Sequence, residues 1–157
     1  RVMGEVAKSA APRRLVFKAL LRTNGWLRER FGWNPGRRWF KRVHDVLGPH
    51  MRFLVTGGSR FDPTIGRDLY DMGFALLNAY GLTETSGGAT IVRPGDRYTT
   101  SVGMPLKNVE IRIAPADADG DREHEDGEVL IRGPIVMREY YRRPDATTDS
   151  LKDGWLY

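Results

Sequence analysis

Residues 51 to 84, MRFLVTGGSRFDPTIGRDLYDMGFALLNAYGLTE, set short apolar runs between turn residues, and their order decides the fold. Met51 to Thr56 reads as a short strand that Gly57 and Gly58 break. Asp62 followed by Pro63 supplies a cap and a first position for a helix running to Met72, with Ile65, Leu69 and Met72 on its apolar face. Gly73 closes that helix, and Phe74 to Leu77 reads as a second buried strand that delivers Asn78 to Glu84 at its carboxyl end. Strand, helix and strand at this spacing form a βαβ crossover, which predicts parallel strands and a right-handed connection. Ligands of open parallel sheets sit beyond the carboxyl ends of the strands, where both the glycine pair and the 78–84 loop are expected.

The chemistry concentrates in Asn78 to Gly88, NAYGLTETSGG. Tyr80 offers a flat face on which a base can stack, a contact worth about 1–3 kcal/mol when formed. Gly81 lets the backbone turn sharply or approach a ligand. Thr83 presents a hydroxyl to a phosphate oxygen, and Glu84 a hard oxygen of the kind Mg²⁺ accepts while it keeps its waters and the phosphates. The same residue types also suit a polar loop capping a sheet, and Gly57-Gly58-Ser59 alone would suit a plain tight turn. No G-x-x-x-x-G-K-[ST] or G-x-G-x-x-G pattern occurs, so neither a P-loop nor a dinucleotide fingerprint is present.

Outward from this centre, charge is unevenly spread. The 157 residues carry a net charge of +5, but residues 1–60 hold 14 Lys and Arg against 3 Asp and Glu, whereas the remainder holds 11 against 17. A basic N-terminal part suits an anionic membrane surface, nucleic acid or an acidic part of the same protein. Basic residues do not interleave with aromatics as in a nucleic-acid motif, which argues against nucleic acid. Pro12 opens a predicted helix through Arg22, with Leu15, Val16, Ala19 and Leu20 on one face and Asn24-Gly25 as its stop. A shorter segment spans Trp26 to Phe31. A second predicted helix covers Arg37 to Leu47, with Trp39, Phe40, Val43, Val46 and Leu47 sharing a face, before Gly48-Pro49. Trp26, Trp33 and Trp39 among arginines suit a membrane-interface patch; packing on a neighbouring protein surface under arginine stems is the favoured reading.

After Gly88 the texture becomes short strands and turns: Ala89 to Val92, the alternating Val109, Ile111 and Ile113, and Glu128 to Ile131. Pro115 to Asp126 reads as an acidic, solvated loop. There is no cysteine, which excludes disulfides and thiolate metal sites and fits a reducing compartment. His44, His50 and His124 have no metal-ligand spacing and read as structural or surface residues. No serine sits in a nucleophile elbow, and no carboxylate pair suggests glycoside chemistry.

NAYGLTETS resembles the signature of adenylate-forming enzymes, the superfamily of acyl-CoA synthetases, luciferases and peptide-synthetase adenylation domains, and the form YGLTETS is most similar to long-chain fatty acyl-CoA synthetases. GGSRFD upstream, then SVGMPL, GEVLIRGPIVMREYY and DGWLY, follow in the family's order. The resemblance implies an α/β fold with a basic helical segment over 1–50, a βαβ unit carrying the nucleotide signature over 51–88, and a short-strand part over 89–157. That last part should be similar to a small distorted β-barrel and truncated at its end. The nucleotide site it implies comprises Gly57, Gly58 and Ser59 against the adenine and the segment Asn78, Ala79, Tyr80, Gly81, Leu82 and Thr83. Within that segment Tyr80 would stack on the base and Thr83 meet the α-phosphate, with Glu84 as the Mg²⁺ ligand. Gly103, Pro105, Gly127 and Glu128 match the family as fold-shaping residues; Arg60 and Glu139 depart from its small residue or proline and its glycine.

The implied reaction activates a fatty acid with ATP through an acyl-adenylate and passes it to coenzyme A; other adenylate-forming ligases (medium-chain, aromatic-acid or carrier-protein) and a truncated, non-catalytic nucleotide-binding module are the alternatives. The implied setting is the cytoplasm, with peripheral contact at the inner face of a membrane. The family's upstream phosphate loop ending in Pro-Lys-Gly, the Thr-Gly-Asp after Tyr157 and the C-terminal domain with its lysine are not in the sequence, whose ends, Arg1 and Tyr157, read as cut. The isolated chain is therefore expected to be inactive and to depend on the rest of the same polypeptide.

Overall fold

The computed structural model describes residues 11–115 and 127–157, which form two compact units. The acidic stretch 116–126, with His124, lies outside the described residues.

The first unit holds the described residues up to Asn78 together with Arg93–Ser101. Helix α1 spans Ala11–Phe31, α2 Gly36–Trp39 and α3 Lys41–Leu47. Strand β1, Leu54–Thr56, is followed by α4, Pro63–Asp71. Strand β2, Leu76–Tyr80, begins in this unit and ends in the next. The predicted crossover is present: β1 pairs parallel with β2 through Leu54↔Leu76, Val55↔Leu77 and Thr56↔Asn78. Asp62 caps α4 as expected and Pro63 occupies its first turn, while Gly73 follows the helix at φ +100.

Several sequence expectations are corrected by the packing. Asn24-Gly25 does not stop the first helix, because α1 runs straight through both. Asn24 is fully buried and donates its amide to the Asp71 carbonyl at 2.7 Å, and Arg28 donates to the carbonyls of Tyr70 and Phe74. Tyr70 and Asp71 lie in the last turn of α4, where carbonyls run out of ladder partners and Tyr70 keeps only a turn bond from the Gly73 N–H, and Phe74 follows just after, so two polar residues on α1 face inward to cap another helix. Gly25 is small for the same reason: a Cβ there would strike the Asp71 carboxylate.

The inward stripe of α1 is accordingly Phe17, Leu20, Leu21, Asn24 and Arg28, whereas Leu15 and Val16 are exposed. The second predicted helix is two, broken at Phe40 (φ −107), and the break turns Phe40, Val43 and His44 inward while Trp39, Val46 and Leu47 stay exposed. His44 is structural: it stacks on Phe74 with centroids 3.9 Å apart, and its Nε2 lies 3.0 Å from the Met72 carbonyl. On α4 Leu69, and just after it Met72, join this core, but Ile65 is exposed and Tyr70 is buried instead.

The second unit comprises Ala79–Val92 and the described residues from Val102 onward. Here β2 continues and pairs antiparallel with β3, Thr90–Ile91, which pairs with β4, Met104–Pro105. Strand β5, Glu110–Pro115, β6, Gly127–Arg132, helix α5, Pro144–Ser150, β7, Leu151–Lys152, and β8, Trp155–Leu156, complete it. The last four strands form an antiparallel sheet in the order β5-β6-β8-β7. The fold class is the expected α/β one; among the described residues the barrel-like portion is an open sheet and not a closed ring.

Ala89, Val109 and Ile131 form this unit's core, and Ile113, expected to alternate inward with Val109 and Ile111, is exposed. The β7–β8 hairpin turns on Asp153 and Gly154, both at positive φ (51 and 79), the geometry Asp-Gly favours. It buries Trp155, whose ring lies under the guanidinium groups of Arg112 and Arg132 at 4.4 and 4.7 Å. Gly103 and Gly127 act on the fold as expected, since a Cβ on either would strike the backbone of Ile91 or Ala114.

Candidate functional site

In the first unit, Thr56 and Asn78 are register partners, so the glycine pair leaves the ladder at the end that Asn78 occupies. Gly57, Gly58 and Ser59 are exposed, and Gly58 has φ +78 with open space where a Cβ would stand. Glycine is thus favoured there by backbone conformation, and the open side leaves room for a flat ligand. The Asn78 amide nitrogen donates to the carbonyls of Thr99 (3.1 Å) and Ser101 (3.2 Å), which ties down the 99–101 segment.

The second unit carries the rest of the signature. Asn78, Ala79 and Tyr80 are strand residues and not loop residues, because β2 extends three positions past the predicted end at Leu77. The half-buried Tyr80 packs beside the Ala89–Val109–Ile131 core and lines an apolar hollow of about 250 Å³ with Val102, Pro105, Ile111, Ile113 and Val129. Gly81 serves a close approach: a Cβ there would lie 2.5 Å from Gly88 Cα and 2.6 Å from its nitrogen. The chain thus doubles back in a narrow loop, closed by the Ala89 N–H donating to the Tyr80 carbonyl at 2.7 Å.

A single 3₁₀ turn, Thr83–Thr85, projects from this loop. Fully buried Thr85 is its anchor: the Leu82 N–H donates to the Thr85 hydroxyl at 2.8 Å, and that hydroxyl donates to the Leu82 carbonyl at 3.0 Å. Ser86 then takes the left-handed conformation, φ 55, and donates its hydroxyl to the Ile135 carbonyl at 2.9 Å. With its base fixed, the turn leaves Thr83 exposed, and its hydroxyl makes no hydrogen bond among the described residues.

Glu84, next along the turn, is half-exposed and engaged: the Tyr140 hydroxyl donates to its Oε1 at 2.6 Å. That bond, aided by the Glu84 backbone, holds the carboxyl below its usual range, while the same bond pushes the Tyr140 phenol up. Glu84 is therefore a carboxylate at neutral pH, and among the described residues no other side chain donates to it. Sequence reasoning missed Tyr140, which sits 56 positions away and showed only as one of the paired tyrosines in GEVLIRGPIVMREYY. Among the described residues no three His, Asp or Glu gather around a common point, so any metal here would rest on this single carboxylate and on groups a ligand brings.

A parallel strand pair, a glycine bend at its carboxyl end and a separate antiparallel sheet define the mixed α/β architecture of the N-terminal domain of adenylate-forming enzymes. The chain belongs to the AMP-binding enzyme family, whose sequence profile matches residues 16–141. It is 34% identical over 117 residues to long-chain-fatty-acid–CoA ligase FadD15 of Mycobacterium bovis, a match covering 74% of this chain and 18% of that protein. Against long chain acyl-CoA synthetase 1 of Arabidopsis thaliana it is 31% identical over 156 residues, covering 92% of this chain and 24% of the relative. The solved o-succinylbenzoate CoA synthetase of Bacillus subtilis superposes with a TM-score of 0.59 at 29% identity, over 68% of this chain and 22% of that one. The chain thus spans between 18% and 24% of the length of these two curated relatives.

Proposed function

We propose that this chain is the nucleotide- and metal-binding segment of an AMP-forming acid–CoA ligase that activates a long-chain fatty acid. The observation that carries the reading is the anchored turn, which sets an exposed hydroxyl, Thr83, beside an ionised carboxylate, Glu84. The names of the curated relatives support the long-chain acid.

In this reading the backbone of Gly57, Gly58 and Ser59 and the face of Tyr80 take the adenine, and the segment Asn78, Ala79, Tyr80, Gly81, Leu82 and Thr83 shapes the nucleotide site. Thr83 donates its hydroxyl to an α-phosphate oxygen. Glu84 fits Mg²⁺, because one carboxylate oxygen plus phosphates and waters is a usual set for that ion. Bound there, the ion would neutralise charge that builds on the phosphates.

An oxygen of the fatty carboxylate bonds to the α-phosphorus as the bond to pyrophosphate breaks; the thiol of coenzyme A then attacks the acyl carbon, AMP leaves and the thiol proton passes to solvent. The chain's residues need only position and stabilise, since the nucleophiles come from the substrates. The remaining parts of such an enzyme are expected from the same polypeptide, and the 157 residues alone are expected to be inactive. The proposed location is cytoplasmic; no helix among the described residues is long and apolar enough to cross a membrane.

The test is pyrophosphate exchange into ATP by the protein that carries this chain, with acids of increasing length. Exchange that needs a long-chain acid and falls at least a hundredfold in Glu84→Gln supports the reading, in line with the loss when one charge-stabilising group is removed. No exchange with any acid would overturn it. Exchange with an aromatic acid alone would favour the second reading, to which the likeness to an o-succinylbenzoate CoA synthetase points.

A further inference from the structure

We infer that Tyr140 is a positioning residue that fixes which oxygen of Glu84 is offered to a metal–nucleotide complex; the inference rests on the proposed role of Glu84. The Tyr140 hydroxyl donates to Oε1 at 2.6 Å, which restrains the carboxylate and leaves Oε2 as the oxygen more readily offered. Three observations show that this contact is built and not incidental. The Glu84 carbonyl accepts the Met137 N–H at 2.7 Å, and Ser86 donates to the Ile135 carbonyl at 2.9 Å, so the segment before Tyr140 is laced to the turn that bears Glu84. The Tyr140 backbone is fixed in its turn, its N–H donating to the Thr147 hydroxyl at 2.9 Å and its carbonyl accepting the Arg143 N–H at 3.1 Å. Neighbouring Tyr141, by contrast, is 79% exposed.

A glutamate on an exposed turn has three rotatable bonds, and freezing them costs free energy that would otherwise be lost when the metal binds. The hydroxyl of Tyr140 meets that ordering cost in advance. It also takes one lone pair of Oε1, which disfavours two-oxygen chelation and so favours a cation that takes one carboxylate oxygen and keeps its waters, as Mg²⁺ does, over Ca²⁺, which often takes both. Hydrogen-bonded partners of metal ligands act in this way, and their removal weakens metal affinity by about 10–100-fold.

The experiment measures binding of ATP, with and without Mn²⁺ as the spectroscopic probe for Mg²⁺, to the protein and to Tyr140→Phe, with Tyr141→Phe as the control. The expected result is unchanged metal-free ATP binding in Tyr140→Phe, a roughly tenfold weaker Mn²⁺ affinity in the ATP complex, and reduced preference for Mn²⁺ over Ca²⁺. A merely structural role would weaken ATP binding with and without metal alike, and that outcome overturns the inference. So does Mn²⁺ affinity equal to that of the parent, which leaves the Glu84 assignment standing. If the parent protein binds no Mn²⁺–ATP while Glu84→Gln behaves identically, the functional reading and this inference fall together.

Discussion

The carboxylate of Asp62 accepts the backbone N–H of Thr64 at 2.7 Å and that of Ile65 at 3.4 Å, at the start of α4. Those bonds, with Thr64 the larger cause, hold the Asp62 carboxyl below its usual range. A depressed carboxylate stabilises the fold fully above its unfolded pKa, about 3.9, and the contribution is lost as pH falls through the folded value. Thermal unfolding between pH 3 and pH 7 checks this. Asp62→Ala is expected to melt lower at pH 7, whereas Asp62→Asn, which keeps a capping oxygen, should melt near the parent at pH 7 and lose less of its stability on acidification. At the same scale, the cap was legible because Asp-Pro is a local signal. The Glu84–Tyr140 pair was not, because a hydrogen bond between residues 56 positions apart leaves no mark on either neighbourhood.

At the scale of elements, the crossover from β1 through α4 to β2 could be read in order, and its strand pairing follows the expectation. Its flanks could not. Asn24-Gly25 is a stop signal by residue type, yet α1 continues because those two residues meet the C-terminal end of α4. The start of α2 packs as tightly on the same end: a Cβ on Gly36 would lie 2.5 Å from Asn24 Nδ2, 2.6 Å from the Met72 carbonyl oxygen and 2.7 Å from Gly73 Cα. Two of those neighbours are backbone and cannot swing aside. Gly36→Ala is therefore expected to destabilise the protein by about 2–3 kcal/mol, the cost of overpacking, although alanine favours helix. Chemical denaturation reads the difference, and a neutral result would mean that α2 can shift without loss. The Asp153-Gly154 hairpin was a readable local signal that the strand pattern alone did not use; its buried Trp155 and Leu156 belong to the sheet interior.

Across the whole molecule, basic residues gather in 1–60, where Trp26, Phe31 and Trp33 are 56–64% exposed. Trp26 and Phe31 stack edge to face at 5.3 Å, and the Arg30 guanidinium lies 5.8 Å from the Phe31 ring, so the aromatic surface is organised and partly covered by an arginine. We expect this surface to meet protein rather than lipid. Tryptophan emission, compared between the parent and Trp26→Phe, should then be unmoved by vesicles rich in anionic lipid. A blue shift that needs Trp26 and is reversed by salt above about 0.5 M would assign the surface to a membrane instead.

The sequence by itself determined the parallel βαβ unit, its cap and stop, the α/β class and the family, because each rests on residues close enough in the chain to announce themselves by type and spacing. Tertiary structure alone decided which stripe of α1 faces inward, where β2 ends, that Gly81 serves Gly88, and that Tyr140 holds Glu84. In each of those cases the partner is brought by another element, and burial against that partner outweighs the local preference of the residue.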